Sequence, residues 1–430
     1  MRHGGLIAAE GEARLSGHVK LRKEFFGGII FHASTGDTLE VDHEAFKLLV
    51  WLRETGAVDV RTLMKRKQVR ALLPALLAMN IIEICRKPEP SNAPTLSQSL
   101  SAPETAHLAI TYRCEENCPD CYARRHHSLI DCELDTAEMC GVIEKLADNG
   151  VFQLAIGGGE PFLRSDLSDV VGYAAEKGLA IHITTGQHTL KPPSTSLLGR
   201  IKSLHIGIRS EELVHNEAHA STKLRALAEC ISHAGIGLGA NLIMTRFTIR
   251  HIDRLTELLL ACGFQRLIFL RYKPIADHAR WNSQNPDGDE LRLFKGWLTR
   301  AKQQHPQLML RVDCAATFLM RDMKPLAAKH AGIKGCVAGD RIISIAPDGT
   351  VYPCSQLMGN AHRLGNLAKD SFSAIWHESD RLNQYRHFRQ SASFADGVCG
   401  RCDASPFCGG CRVFAKDAIG SEALCPWFDH

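Results

Sequence analysis

Long hydrophobic runs are missing from this chain of 430 residues. No apolar stretch reaches the ~20 residues needed to cross a bilayer, so no membrane span is expected. The first residues, Met1-Arg-His-Gly-Gly, lack the apolar core of a signal peptide. Charge of one sign is also scarce. A formal net charge of +4 is too small for this length to argue for nucleic acid as a partner. What remains, 45% hydrophobic and 23% charged residues, is a globular composition able to bury several cores. Against these absences stand sixteen cysteines. Without an export signal they read as metal ligands or reduced thiols before disulfides, and a reducing cytoplasm is the expected compartment.

Three of them form a tight group, Cys114-Glu-Glu-Asn-Cys118-Pro-Asp-Cys121-Tyr122, at offsets of four and three residues. One loop can bring such thiolates to one centre. Soft thiolates select zinc, Cu(I) or iron–sulfur clusters. A closed zinc or ferredoxin-type site needs a fourth ligand. The next cysteine is Cys132, beyond a basic run whose His126-His127 pair reads as solvated loop. The spacing therefore suggests a metal position left open, with a small zinc knot as the alternative. Set after the strand His107–Tyr112, Cys-x-x-x-Cys-x-x-Cys-Tyr resembles the signature of the radical S-adenosylmethionine (SAM) enzymes. The resemblance implies that Cys114, Cys118 and Cys121 hold a 4Fe–4S cluster whose remaining iron takes the SAM amino and carboxylate groups.

Further motifs fall at the ends of later strands. Glycines in Gly157-Gly158-Gly159-Glu160-Pro161 allow close backbone approach, and the carboxylate beside them suits an ammonium group. Gly158, Gly159, Glu160 and Pro161 match the family's Gly-Gly-Glu-Pro motif, which binds the SAM amino group. Thr184-Thr185-Gly186 stands where the family often has Thr-Asn-Gly near the ribose, so Thr184 is a candidate contact and Thr185 a departure. Relatives often have Ser-x-Asp-Gly where this chain has Ile208-Arg209-Ser210. Arg209 and Ser210 are candidates for the SAM carboxylate or ribose, since Arg suits bidentate carboxylate recognition; the alternative is a strand cap. Asn241 is a further candidate.

Between residues 105 and 313 strands and helices alternate, with strands starting at 107, 152, 179, 203, 237 and 266. Asp135-Thr-Ala-Glu138 has capping-box spacing before one of the helices. Repeated βα units imply a parallel sheet with right-handed crossovers, and six are too few for the eight-stranded barrel. The expected fold is α/β: a partial (β/α)6 barrel of the TIM type, the architecture of the resembled family. Before it, residues 87–104 are Pro- and Ser-rich and read as a linker. Residues 18–86 read as a small α+β, winged-helix-like domain: a hairpin around Ser34-Thr-Gly-Asp37, then a helix capped by Asp42 and a second apolar periodicity through Leu72–Ile81. This segment resembles the peptide-binding domain typified by the pyrroloquinoline quinone chaperone, which adds a precursor peptide to a sheet edge. A plain structural cap is the alternative.

Residues 336–430 hold seven cysteines, Cys336, Cys354, Cys399, Cys402, Cys408, Cys411 and Cys425. Their order, with Gly349 before Cys354 and Leu364-Gly-Asn…Ile-Trp376 between the blocks, resembles the SPASM extension of radical SAM peptide-modifying enzymes; zinc ribbons are the alternative. One departure is the two-residue gap between Cys408 and Cys411, where relatives have three. The resemblance implies two auxiliary 4Fe–4S clusters, three clusters in all. The inner one would take Cys336, Cys354 and Cys411, the outer one Cys399, Cys402, Cys408 and Cys425. Residues 337–353 supply no further cysteine, so the inner cluster is expected to keep one iron without a cysteine, and Cys314 to be dispensable. The implied function is a maturase that modifies a ribosomally made precursor peptide by thioether or carbon–carbon crosslinking, epimerisation or excision. Its electron donor would be a flavodoxin or ferredoxin. The alternatives are a SPASM enzyme of small-cofactor or haem-like biosynthesis and, more distantly, a non-catalytic zinc adaptor. Asp313, Asp340 and Glu378 are possible bases without a distinguishing context.

Overall fold

The computed structural model describes residues 12–56, 58–64, 67–85, 100–116, 118–123, 132–186, 193–274, 278–415, 417–423 and 425–426. Most of the expected linker (87–99) and the pair His126-His127 lie outside them. The chain divides into two compact units, residues 1–101 and 102–430.

In the first unit the strands are β1 (Glu12–Leu15), β2 (Val19–Glu24), β3 (Gly27–His32), β4 (Asp37–Asp42), β5 (Val58–Asp59) and β6 (Ile82–Cys85). β2, β3 and β4 make an antiparallel meander with β3 central and buried throughout. The expected hairpin is thus a three-stranded sheet. The run from Val19 to Phe31 is broken at Phe25-Phe26, where Gly27 adopts a φ of 140°. A Cβ there would lie 2.2 Å from the Val41 carbonyl oxygen, so only glycine lets β3 and β4 approach. A second sheet, β5-β1-β6, was not foreseen, and β1 precedes residue 18. Its strands span two to four residues, too short for alternation to register. Asp42 caps the helix His43–Thr55, accepting from the Ala45 N–H at 2.8 Å. That helix buries Leu49 and Leu52 against Leu63, Leu73 and Ile82 in a core belonging to this unit. Leu49→Ala should therefore destabilise the unit by about 2–5 kcal/mol, read as a lower first transition in calorimetry of the full chain.

The second unit is built on one ten-stranded sheet. Its strands are β7 (Thr105–Thr111), β8 (Gln153–Gly158), β9 (Ala180–Gly186), β10 (Ser203–Ile208), β11 (Gly237–Met244), β12 (Arg266–Arg271), β13 (Met309–Val312), β14 (Ile342–Ile345), β15 (Thr350–Tyr352) and β16 (Gly365–Asn366). β7 to β13 run parallel in chain order. The six expected strands are present, and β13 adds a seventh. Four residues long and carrying Arg311, it shows no clear apolar pattern. On the other side β14 pairs parallel with β7, and β15 and β16 follow antiparallel. The cysteine-rich C-terminal segment thus continues the barrel sheet. The Asp135–Glu138 capping box forms and starts the helix Thr136–Asp148, whose Met139, Val142, Ile143 and Leu146 are buried. Among the described residues no helix is long and apolar enough to cross a membrane.

Candidate functional site

The motifs gather at the C-terminal ends of the parallel strands. β7 leads into Cys114, β8 into the glycine loop, β9 ends at Gly186 and β10 leads into Arg209. The cysteine loop is braced at both ends. Glu133 accepts from the Thr111 hydroxyl and the Tyr112 N–H, each at 2.8 Å. Asp120, between the second and third thiols, accepts from the Tyr272 hydroxyl at 2.6 Å and from Arg280 at 2.8 and 2.9 Å. Tyr122 is buried and pushed up to about 12, by burial first and then by Cys121 and Cys354. It therefore lies near a core thiol and a C-terminal one.

Backbone hydrogen bonds lock the glycine loop to the cysteine loop. Gly159 N–H donates to the Thr111 carbonyl at 2.7 Å and Glu160 N–H to the Arg113 carbonyl at 2.8 Å. A Cβ on Gly159 would sit 2.3 Å from the Arg113 carbonyl oxygen, and Gly158 has a φ of 106°. Glu160 is 1% exposed. It accepts from the Thr185 hydroxyl at 2.8 and 2.9 Å, the Gly186 N–H at 2.9 Å and the Phe162 N–H at 3.1 Å. Burial raises its pKa and these donors only partly offset it. Pro161, also buried, opens the turn that follows. Thr185, noted in the sequence only as a departure, is thus the residue that orients Glu160.

Arg209 reaches back over the cysteine loop. Its Nη2 lies 2.8 Å from Glu116 Oε2 and 3.5 Å from the Cys118 sulfur. Burial pushes the Cys118 thiol up to about 11, with Arg209 opposing. Glu116 escaped the sequence reading because its partners, Arg209 and Gly186, lie far along the chain. Its side chain is nearly buried, and a Cβ on Gly186 would meet its carboxylate at 2.3 Å. Thr184 is half-buried in β9. Ser210 starts the helix Ser210–His215 and accepts from the Thr248 hydroxyl at 2.9 Å, so its oxygen is already engaged. Asn241 sits half-buried on β11 with its side chain against His205 of the neighbouring strand. In the barrel interior His182 and His205 share Ser203 at 2.7 and 2.9 Å, and burial pushes both down to about 4, so they are neutral at pH 7.

The C-terminal thiols fall into two groups. Cys399, Cys402, Cys408 and Cys425 line one cavity. Cys336 and Cys354 pack around one small apolar cluster with Val413, two residues beyond Cys411. Backbone N–H groups point at the sulfurs: Arg412 and Ala338 at Cys336, Gln356 at Cys354, Gly410 at Cys408, and Glu422 at Cys399 at 3.3 Å. The short Cys408–Cys411 gap is bridged by Gly409 and Gly410 with φ of 69° and 71°. A Cβ on Gly410 would lie 2.7 Å from the Glu422 Cβ and 3.1 Å from the Cys399 sulfur. Gly410→Ala should strain this turn by about 1–3 kcal/mol, and iron analysis should find the outer group's metal lost first. Behind it, Arg271 pairs with Glu422 at 2.6 Å, and Glu422 accepts from the Cys411 N–H at 2.7 Å. Arg412 is buried, donates to the Gly409 and Gly420 carbonyls and stacks 3.9 Å from the Phe388 ring centre.

The donor sets fit the expected groups. Thiols ringed by N–H donors suit sulfur-ligated iron. A buried carboxylate whose partners among the described residues are neutral donors suits a ligand carrying an ammonium group. Among the described residues no three His, Cys, Asp or Glu side chains converge as tightly as a single metal ion requires.

Fold and site together resemble those of radical SAM enzymes with a C-terminal SPASM extension. An iron–sulfur cluster-binding SPASM domain matches residues 336–403. The chain is 26% identical over 341 residues to the mycofactocin maturase MftC of Mycolicibacterium smegmatis, covering 76% of this chain and 82% of that protein. It is 25% identical over 344 residues to the AdoMet-dependent heme synthase of Oleidesulfovibrio alaskensis, covering 74% and 86%. In structure it is similar to Streptococcus suis SuiB, solved with S-adenosylmethionine (TM-score 0.71, 17% identity, 95% of this chain and 98% of that one). SuiB has also been solved with its precursor peptide SuiA (TM-score 0.68, 17% identity, same coverage). At that identity the likeness is one of fold.

Proposed function

We propose that this enzyme is a maturase that modifies a ribosomally made precursor peptide, by thioether or carbon–carbon crosslinking, epimerisation or excision. The observation that carries the reading is the first unit, an independently cored α+β body with β2 and β4 at the edges of its meander. Extended peptides bind such edges by adding a strand. The fold likeness to SuiB, which spans 95% of this chain, supports the same reading.

In this reading Cys114, Cys118 and Cys121 hold the core 4Fe–4S cluster, and SAM lies between it and the ends of β8, β9 and β10. SAM held there would supply radical hydrogen abstraction from carbon, and the protein would bind, orient and shield it. Glu160, held by Thr185 and Gly186, receives the ammonium group. Gly158, Gly159 and Pro161 shape that turn. Arg209 leaves Glu116 for the SAM carboxylate, Thr184 lines the ribose side, Asn241 accepts from the nucleoside, and Ser210 with Thr248 steadies the start of the helix behind Arg209. Two auxiliary clusters held by the seven C-terminal cysteines bring the total to three. A flavodoxin or ferredoxin supplies electrons.

Glu160→Gln keeps the size of the side chain and removes its charge. SAM affinity should fall about 10- to 100-fold, as expected for a charge-assisted hydrogen bond worth ~1.5–3 kcal/mol. Anaerobic equilibrium dialysis reads this, and an unchanged Kd places the ammonium elsewhere. The function itself is tested by co-expression with a short reading frame, if the gene's neighbours include one, and mass spectrometry of the peptide. Loss of two hydrogens reports a crosslink, and deuterium uptake without other change reports epimerisation. A second reading, small-cofactor or haem-like biosynthesis, is favoured by the heme synthase relative. It predicts turnover of a porphyrin-type substrate and none of the peptide.

A further inference from the structure

Cys314 is a cysteine for which the reading above has no use, yet it stands beside the inner SPASM thiols. It follows β13 and opens the turn Cys314–Met320. Its neighbour Asp313 is fixed by Lys273 at 2.6 Å. The carbonyl of Ala315 accepts from Arg271 at 3.0 Å. The same Arg271 pairs with Glu422, which holds the Cys411 N–H. One buried arginine thus fixes the backbone beside both Cys314 and Cys411, and Ala315 and Cys411 pack in the same apolar cluster. The Cys314 side chain lies against that of Cys336. Cys336 in turn shares its apolar cluster with Cys354.

We propose that Cys314 is the fourth protein ligand of the inner SPASM cluster, completing the set Cys336, Cys354 and Cys411. This rests on the reading of those three as cluster ligands. It reverses the expectation drawn from the sequence, which left one iron of that cluster without a cysteine. That expectation held Cys314, just upstream of the segment, as the alternative fourth ligand and treated it as dispensable. Cys314 lies twenty-two residues upstream of Cys336. β13 and β14 stand at the two ends of the parallel run of strands, and the segments after β13 and before β14 carry the two cysteines. A thiolate from Cys314 leaves a peptide thiol no iron to bind. Thioether formation, if this enzyme performs it, then proceeds without anchoring the substrate sulfur there, and the inner cluster suits electron traffic.

The test uses full-length Cys314→Ala and Cys314→Ser proteins reconstituted anaerobically. The alanine variant should lose about four of roughly twelve irons, or show a three-iron signal on oxidation. The serine variant should keep its iron with altered electron paramagnetic resonance spectra. Both should still form 5′-deoxyadenosine. Wild-type iron content and spectra in Cys314→Ala overturn the proposal. If neither variant folds, alkylation of the wild-type protein decides. Cys314 should resist iodoacetamide in step with Cys336 until iron is chelated, while exposed Cys132 reacts throughout; equal Cys314 labelling before and after chelation, or a Cys314–Cys336 disulfide in the iron-loaded protein, overturns it. A wild-type protein holding no more than about four irons contradicts the SPASM cluster reading itself.

Discussion

Replacing Cys114, Cys118 and Cys121 together by alanine is expected to reduce 5′-deoxyadenosine formation to background while about eight of roughly twelve irons remain. The selectivity follows from the architecture. The three thiols hang on one loop between β7 and the helix that starts at Thr136, braced through its Glu133 by Thr111 and through its Asp120 by Tyr272 and Arg280. The C-terminal thiols are held separately, by Glu422, Arg271, Arg412 and a set of N–H donors. Removing the first set leaves the second standing. Liquid chromatography of dithionite-reduced reactions, beside iron analysis, reads both halves. SAM cleavage at the wild-type rate would remove the loop from the chemistry, and loss of all iron would mean that the two regions do not load independently.

Removing residues 1–101 is expected to weaken binding of the precursor peptide by at least about tenfold while uncoupled SAM cleavage continues. The unit has its own core, from Ala13 and Leu49 to Ile82. Strand addition at an edge combines main-chain hydrogen bonds with side-chain pockets, and several such bonds at ~0.5–1.5 kcal/mol each amount to the tenfold or more expected. Fluorescence anisotropy with a labelled peptide measures the loss. Full affinity in the truncated enzyme would make the unit a structural cap.

The parts of this protein legible in its sequence are those where local chemistry repeats a strong pattern. The cysteine triplet, the Gly158–Pro161 turn, the Asp135–Glu138 capping box and the Asp42 cap each depend on residues within a few positions of one another. β7 to β12 announce themselves by apolar runs between helices. What escaped depends on distance along the chain. β13 and the β5-β1-β6 sheet are too short to carry a period. Glu116 and Thr185 gain meaning only when β9 and β10 bring Gly186 and Arg209 over the cysteine loop. Arg271 and Glu422 lie far apart in sequence and meet beneath Cys411. The partition of the C-terminal thiols came from resemblance rather than spacing, and Cys314 was set aside because its partners are strands away.

The account turns on hydrogen abstraction from a peptide by a radical made at this site. The most direct measurement follows deuterium from a fully deuterated candidate precursor peptide into 5′-deoxyadenosine under anaerobic reducing conditions. The account predicts labelled 5′-deoxyadenosine with matching modification of the peptide, both absent in the triple cysteine variant. Unlabelled 5′-deoxyadenosine beside an unmodified peptide, or a zinc-loaded protein that makes none, would contradict it.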